Sequence, residues 1–513
     1  MSDIINSSLK TAVKGTSLVF AGMVSSILLW FATKVLIIRY TTKEELGLYS
    51  IVVAAAGILS VCACLGIQEG VSRYISVFWG EDRKDDADSM ARSAVRSGIL
   101  SGIFFFLVLF SASGIIARYV FYKPELEAPL KVISFFIPFF VMANIMSGIL
   151  RGHNLIAPKV FIMEIGQPLF FLALLCSFFY LNLPFISVIY AYLLAIIAVF
   201  ILIGVYGYKK TGVNPLLLKG SSYNNELIKF SVPLLIAAVL GLVLTWCDTL
   251  MLGRYARAED VGAYNVSISL AKLLTFPLGA LEFVYMPIAC SMYAKKQNPE
   301  LNKTYQVLTK WNFSATLPIF FILFFFPEMT ITFLFGERFL DSSMPLRILS
   351  LCFLFHAFLG ANGTLMVVMG KSKDLMNVSI FGALLNILLN YILIKHLGYG
   401  TIGASVATLI SYFALNVIIS VMLYRISRIH PITSQYIKPV ISSAVVGIII
   451  YAIAKSLPLY LWMLPLYFIM FIGGFFMSLI ITRSIGEEDS AMFEAISERT
   501  GLKISRLQKI FYR

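Results

Sequence analysis

The sequence predicts an all-α polytopic membrane protein with about 14 transmembrane helices. Its composition, the positions of its basic residues and a segment that occurs twice support this prediction. Of its 513 residues, 59% are hydrophobic and 13% are charged, whereas about 25% of the residues of a soluble domain are charged. This composition therefore excludes an ordinary soluble domain.

Apolar runs long enough to cross a bilayer occur along the whole chain. A spanning helix needs about 20 mainly apolar residues, because lipid offers no partner for a backbone polar group. We predict helices near residues 16–38, 46–65, 95–117, 129–150, 160–181, 184–206, 229–252, 263–287, 312–335, 346–369, 375–396, 402–424, 435–455 and 460–482.

The basic residues predict the orientation of these helices. With the N-terminus inside, 28 of the 41 Lys and Arg fall in inner segments and 11 in outer loops, as the positive-inside rule requires. Both termini are therefore expected in the cytoplasm of a multi-pass protein of the cell membrane. The net charge of +14 follows mostly from this topology, so it does not predict a nucleic-acid partner.

One segment occurs twice, at residues 39–49 and 254–264, and its copies align without a gap. Each copy reads Arg-Tyr, three residues, two acidic residues, an aliphatic residue, Gly, another apolar residue and Tyr. Each also follows an inside-to-outside helix, and six predicted helices separate the copies. The sequence therefore predicts two parallel six-helix lobes related by an axis along the membrane normal.

Four regions follow from this repeat. We predict an N-terminal lobe at 1–215 (helices 1–6), a C-terminal lobe at 216–430 (helices 7–12), two extra helices at 431–482, and a cytoplasmic amphipathic tail at 483–513.

Several segments, in order along the chain, resemble a known family. They are Arg39–Ser50, Asp248–Gly253, Leu334–Arg338, the pair Asn386 and Asn390, and Leu397–Ala404. Together they resemble the polysaccharide-biosynthesis branch of the multidrug/oligosaccharidyl-lipid/polysaccharide exporter superfamily. The resemblance covers essentially the whole chain.

This resemblance implies a flippase for a lipid-linked oligosaccharide, with two six-helix lobes around a central cavity. We expect it to carry a phosphate- or pyrophosphate-linked glycan from the cytoplasmic to the outer leaflet by alternating access, for cell-surface polysaccharide biosynthesis. The expected partners are this substrate, membrane lipids and glycan assembly enzymes, and we expect a monomer. The alternative is an ion-coupled multidrug antiporter of the sister branch.

An anionic head group needs positive charge within the membrane, because a bare charge there costs several kcal/mol. Lys34 and Lys272 are the cations predicted inside spans, and we predict that they line the substrate cavity. Lys34 could instead extend its side chain to the nearby interface. Lys272 could instead form a structural ion pair with Asp248.

Asp248 and Glu282 are candidates for a coupling-ion site or an ion pair. A buried carboxylate can carry a proton, so the coupling ion could be a proton or sodium. The six cysteines lack zinc-site spacing, and we expect no metal and no other cofactor.

Asn386 and Asn390 are four residues apart and so share a helix face. They could bind sugar or form hydrogen bonds between helices. His356 is interpreted as a packing residue. In the repeated segments, Arg39 with Glu44 or Glu45 and Arg254 with Glu259 or Asp260 could close two outer turns by charge pairing, or form an outer gate.

Catalysis by this chain is not expected. Gly370-Lys371-Ser372 lacks the preceding glycine of a Walker motif, since Leu365 stands at that position. The predicted outer loops are short and carry no cluster of acid and base residues. We therefore predict a secondary transporter rather than an enzyme.

Overall fold

The computed structural model describes residues 2–155, 157–214, 224–456, 460–482 and 484, which contain helices and turns but no strand. The chain divides into two compact units, Met1–Asn265 and Val266–Arg513. The predicted lobe boundary lies at the undescribed residues 215–223, and the lobe assignment stays a prediction. Of the predicted tail at 483–513, only Ser484 is among the described residues.

The first unit contains most of the long apolar helices of the N-terminal half. They are α1 (Ser2–Tyr40), α2 (Lys43–Cys64), α3 (Ile67–Gly80), α4 (Lys84–Ile115), α5 (Glu127–Ser134), α6 (Phe136–Gly152), α7 (Gln167–Tyr180), α8 (Ile186–Thr211), α9 (Asn224–Tyr255) and the start of α10 (Ala258–Ala271). The π-helical segment Ile116–Val120 extends α4, and a second one, Lys159–Gly166, leads into α7.

The grouping of α9 with the first unit follows from its packing on α3. The rings of Tyr74 and Phe230 meet edge to face with centroids 5.6 Å apart. The Arg73 guanidinium lies 4.8 Å from the centroid of the Phe230 ring. Aromatic and cation–π contacts of this kind each contribute about 0.5–1.5 kcal/mol.

Among its described residues, the second unit continues α10 and adds nine α-helices. They are α11 (Phe276–Ala294), α12 (Asn298–Phe325), α13 (Pro327–Phe335), α14 (Ser343–Leu359), α15 (Asn362–Val368), α16 (Ser372–Asn390), α17 (Gly400–Ser427), α18 (Ser434–Lys455) and α19 (Met463–Ile481).

Two predicted spans of this unit are broken helices. The predicted helix 312–335 divides into α12 and α13 at Pro327, which has no N–H to continue the hydrogen-bond ladder. The predicted helix 346–369 divides into α14 and α15 at Gly360, whose φ of +64° a residue with a side chain rarely adopts.

The last two described helices pack against α12 and the residue that follows it through an aromatic core. Tyr451 of α18 lies 5.3 Å from Phe325, centroid to centroid. Phe321 stacks on Phe471 with ring centroids 4.2 Å apart, and Phe326 stacks on Tyr467 at 5.1 Å. The extra C-terminal helices predicted from the sequence are therefore joined to the second unit.

Among the described residues, 13 segments are long and apolar enough to cross a membrane. The predicted span 229–252 lies within α9, which is helical but is not one of these 13 segments. The prediction of an all-α polytopic membrane protein is confirmed.

Candidate functional site

Lys34 lies in the last third of α1 and is half-buried. Its Nζ is 5.8 Å from the ring centroid of Tyr49 on α2, and Tyr49 is itself buried. An ammonium group over an aromatic face is electrostatically stabilised. The contact directs this cation toward a neighbouring helix, and its part in a substrate cavity stays a prediction.

Lys272 lies where the helix of the second repeat changes geometry. α10 ends at Ala271, residues Lys272–Thr275 form a 3₁₀ turn, and α11 begins at Phe276. Pro277 explains the change. Its nitrogen has no hydrogen to donate to the carbonyl oxygen of Leu273, and its ring crowds that carbonyl. The Lys272 side chain is exposed at this break.

Asp248 lies in α9 with only 3% of its surface exposed. The Tyr264 hydroxyl of α10 donates a hydrogen bond to Asp248 Oδ2 at 2.5 Å. A neighbouring bond joins the same two helices, since Asn265 Nδ2 donates to Thr249 Oγ1 at 3.4 Å. Asp248 thus fixes the α9–α10 hairpin, and the predicted ion pair with Lys272 stays a prediction.

Asn386 and Asn390 lie in α16 and are buried, with 1% and 0% of their surfaces exposed. Asn390 Nδ2 donates to Asn386 Oδ1 at 3.1 Å. The predicted common face is therefore present, and the two amides bond to each other on it. A sugar would have to reach amides that are covered in this conformation.

Glu282 of α11 lines a cavity of about 400 Å³ within the second unit. The Thr364 hydroxyl of α15 donates to Glu282 Oε1 at 2.7 Å. The wall of the cavity also contains one polar side chain from each of α14 to α17, namely His356, Asn362, Ser379 and Asn416.

His356 of α14 is joined to α17 on the same wall. Its Nδ1 lies 2.9 Å from Asn416 Oδ1, while Asn416 Nδ2 donates to the carbonyl oxygen of Tyr412 at 2.8 Å. Asn362 Nδ2 donates to the carbonyl oxygen of Asn416 at 3.2 Å and to Ser420 Oγ at 2.9 Å. The sequence interpretation of His356 as a packing residue missed this polar cluster.

The break in the predicted span 346–369 gives a local signal for this cluster. Gly360, Asn362, Gly363 and Thr364 interrupt an apolar run with glycines and polar residues, which is typical of a broken helix that lines a cavity. Asn416 has no comparable sequence signal, because only packing brings α17 against α14.

The two copies of the repeated segment pack against each other within the first unit. A Cβ added to Gly47 would lie 1.8 Å from the carbonyl oxygen of Ala258, and one added to Gly262 would lie 2.1 Å from that of Lys43. Gly262 occupies the position of Gly47 in the second copy, and Ala258 occupies that of Lys43. The contact is therefore reciprocal, as across a two-fold axis.

In the second copy, Arg254 and Glu259 contact other partners, and the pairing of the two outer turns stays a prediction. Arg254 donates to the Tyr122 hydroxyl at 3.1 Å, and its guanidinium lies 4.0 Å from the Tyr122 ring centroid. Glu259 instead pairs with Arg257 at 3.4 Å. The side chains of Arg39 and Glu44 are exposed.

The first copy closes its turn with a capping box. Glu45 Oε2 accepts from the Thr42 backbone N–H at 2.8 Å, and Thr42 Oγ1 accepts from the Glu45 backbone N–H at 3.2 Å. This reciprocal pair satisfies N–H groups at the start of α2. Helix capping therefore explains one acidic position of the repeat.

Lys123 supports the second copy from the loop that precedes α5. Its Nζ donates to the carbonyl oxygens of Gly253 at 2.6 Å and Ala256 at 2.9 Å. A cation at these carbonyls complements the negative end of α9. Burial lowers the pKa of Lys123.

The sequence matches two family profiles. The profile described as polysaccharide biosynthesis protein matches residues 12–288, which is more than half of the chain, and the profile described as MatE matches residues 233–392.

Curated relatives are distant. An uncharacterized membrane protein of Methanocaldococcus jannaschii is 22% identical over 421 residues, which cover 79% of this chain and 82% of that protein. The teichuronic acid biosynthesis protein TuaB of Bacillus subtilis is 23% identical over 127 residues, which cover 24% of this chain and 26% of that protein.

Solved transporter structures share the fold. The lipid II flippase MurJ in an inward closed conformation has a TM-score of 0.75 at 17% identity, over 91% of this chain and 98% of that one. A multidrug resistance MATE transporter in an inward-facing conformation has a TM-score of 0.67 at 16% identity, over 79% of this chain and 95% of that one. The match over residues 12–288 shows that the chain belongs to the polysaccharide biosynthesis protein family.

Proposed function

We propose that this protein is a flippase that moves a lipid-linked oligosaccharide from the cytoplasmic to the outer leaflet of the cell membrane. The lipid would carry its glycan through a phosphate or pyrophosphate group. Family membership and a fold shared with a lipid II flippase support this proposal. So does the similarity to a protein named for teichuronic acid biosynthesis.

The position of Lys272 within a membrane span is the observation that carries the proposal. It follows Ala258, the first residue of α10, by 14 positions, so it lies about 21 Å along the helix axis. That depth falls within a hydrocarbon core of about 30 Å. A charged side chain at such a depth almost always faces the protein interior or a water-filled cavity.

A phosphate or pyrophosphate group is a suitable ligand for this cation. Its negative charge would offset the cost of holding an ammonium group inside the membrane, and the ammonium would offset the cost of carrying the phosphate across. Lys34 is a second cation within a span, and its position over Tyr49 keeps it inside the first unit. Both lysines favour an anionic substrate over a cationic one.

The contact between the repeated segments supports transport by alternating access. Both copies lie on the predicted outer face, and Gly47 and Gly262 let their backbones meet there. We infer that this contact closes the outer side and that it opens when substrate leaves toward the outer leaflet.

The test is a leaflet assay in proteoliposomes. The probe is a short polyprenyl pyrophosphate that carries a fluorescent disaccharide, and reduction by membrane-impermeant dithionite reports which leaflet holds the label. We expect Lys272→Ala to slow translocation about tenfold or more, because a contact to a charged group contributes about 1.5–3 kcal/mol, and Lys272→Arg to retain most of the rate.

Lys295→Ala is the matched control, since Lys295 is exposed at the end of α11. Its rate should equal that of the unmodified protein. Equal probe movement in liposomes with and without the protein would contradict the proposal.

The match of residues 233–392 to the MatE profile keeps a second candidate, an ion-coupled multidrug antiporter. The same liposomes distinguish it when they are loaded with the organic cation ethidium. Ethidium transport without movement of the lipid probe would favour the antiporter.

A further inference from the structure

We propose that Glu282 and His356 together form a proton-binding site whose protonation is coupled to transport. The inference rests on the proposed transport function and adds its energy source. Both side chains line the cavity of about 400 Å³ in the second unit. The cavity gives the pair room for water, which can deliver and remove the proton.

The hydrogen bonds of Asn416 determine which histidine nitrogen takes up the proton. Asn416 Nδ2 donates to the carbonyl oxygen of Tyr412, so its Oδ1 faces His356. An amide oxygen only accepts, and His356 Nδ1 must therefore carry a hydrogen. In the neutral ring this leaves Nε2 as the proton acceptor.

Glu282 supplies the negative charge that balances the protonated ring. The Thr364 hydroxyl donates to one of its oxygens at 2.7 Å, which favours the ionised carboxylate. Both side chains lie in the wall of the same cavity, so the carboxylate acts electrostatically on the protonated ring. When a proton from water binds Nε2, the charge of the pair changes from −1 to 0.

Three tyrosines lie around the pair. Tyr285 lies one turn along α11, and Tyr305 of α12 donates its hydroxyl hydrogen to the carbonyl oxygen of Leu359 at 2.5 Å. Tyr412 of α17 meets the His356 ring edge to face at 5.9 Å. Among the described residues that line the cavity, none is Lys, Arg or Asp, so Glu282 is the acidic lining group and His356 the basic one.

The pair spans the break between α14 and α15. His356 precedes Gly360 and binds α17 through Asn416, whereas Thr364 follows Gly360 and binds α11 through Glu282. A change of charge at the pair therefore acts on helices at both sides of a non-helical joint. Such a joint can take two arrangements, which is what coupling to a transport cycle requires.

A proton fits this site better than a sodium ion. Sodium needs several oxygen ligands, but Asn416 Oδ1 faces His356 and Asn362 Oδ1 accepts from the Gly363 backbone N–H at 2.7 Å. An imidazole nitrogen is also a poor ligand for a hard cation.

The first experiment measures flipping of the fluorescent lipid probe with and without a pH difference of about one unit, a tenfold difference in proton concentration. We expect the gradient to accelerate the unmodified protein about fivefold or more. Glu282→Gln and His356→Gln should lose the acceleration. His396→Gln, which changes an exposed histidine, should retain it.

Equal acceleration in Glu282→Gln and the unmodified protein would overturn the inference, as would acceleration by a sodium gradient alone. Absence of all probe movement would count against the proposed function instead. The proton site is then tested without substrate, by ¹⁵N NMR of the histidines in the purified full-length protein. Glu282→Gln should change the pH at which His356 titrates and leave His396 unchanged, and an unchanged His356 would exclude the pair.

Discussion

Gly47 of α2 lies directly against the backbone of Ala258 at the start of α10, so close that a Cβ on Gly47 would be 1.8 Å from the Ala258 carbonyl oxygen. Gly262 makes the equivalent approach to Lys43. The contact thus joins two copies of one segment through backbone atoms, and no charge pair is needed for it. The glycine of the repeat has a physical role in both copies.

Adding one methyl group at either glycine should separate the two segments. We expect Gly47→Ala and Gly262→Ala each to lower the free energy of unfolding by about 1–3 kcal/mol, the usual effect of overpacking. The measurement is the thermal unfolding midpoint in detergent. Gly241→Ala is the control, because a Cβ there meets no atom within 4 Å.

The same variants test whether the contact closes the outer side. Ser50 of α2 is buried, and Ser50→Cys in a cysteine-free background should react slowly with an outer, membrane-impermeant maleimide. Gly47→Ala should speed that reaction. A lower unfolding midpoint with an unchanged rate of maleimide labelling would mean that the glycines stabilise the fold but do not close the outer side.

The hydrogen bond from Tyr264 to Asp248 should stabilise the α9–α10 hairpin. Asp248 is buried, so Tyr264→Phe would remove a donor from a covered carboxylate. We expect a loss of about 1.5–3 kcal/mol in the free energy of unfolding, the range for hydrogen bonds to charged groups. Tyr180→Phe, at an 86% exposed tyrosine, should leave the midpoint unchanged, and equal midpoints for both variants would contradict the prediction.

The sequence predicted the helices and their membrane class, because apolar length is a direct requirement of the bilayer. It also placed Asn386 and Asn390 on one face, since that follows from helical spacing alone. The partner of Arg254 was not predictable in this way. Tyr122 lies 132 positions from Arg254, and nearby acidic residues offered an equally good pairing on charge alone.

The cavity around Glu282 shows the same limit. Gly360 and Asn362 mark a break in the predicted span, but a break does not reveal which helices close around it. Asn416 is 60 positions from His356, and only the packing of α14 on α17 brings the two together.

Lys123 should stabilise the C-terminal end of α9. Lys123→Met keeps much of the apolar stem and removes the ammonium that donates to Gly253 and Ala256. We expect a loss of about 1 kcal/mol, the usual size of a net hydrogen bond or a helix-end charge, measured by thermal unfolding. Lys131→Met is the comparison, since Lys131 makes a partly exposed pair with Glu127, and pairs of that kind contribute about 0–1 kcal/mol.

His153 should make stability depend on pH at the end of α6. Burial lowers its pKa, and its Nε2 is covered and has no hydrogen-bond partner among the described residues. The unfolded chain, with an ordinary histidine pKa near 6.5, therefore binds a proton at a higher pH than the folded chain. Stability should be fully present above about pH 6.5 and should fall as the pH drops toward the lower folded-state pKa.

His153→Phe keeps a ring in the edge-to-face contact with Trp79, whose centroid is 5.1 Å from that of His153. The variant cannot take up a proton at this position. We expect its unfolding midpoint to fall less between pH 8 and pH 5.5 than that of the unmodified protein, while His396→Phe, at an exposed position, should fall as much. Equal losses in all three proteins would mean that protonation of His153 does not oppose folding.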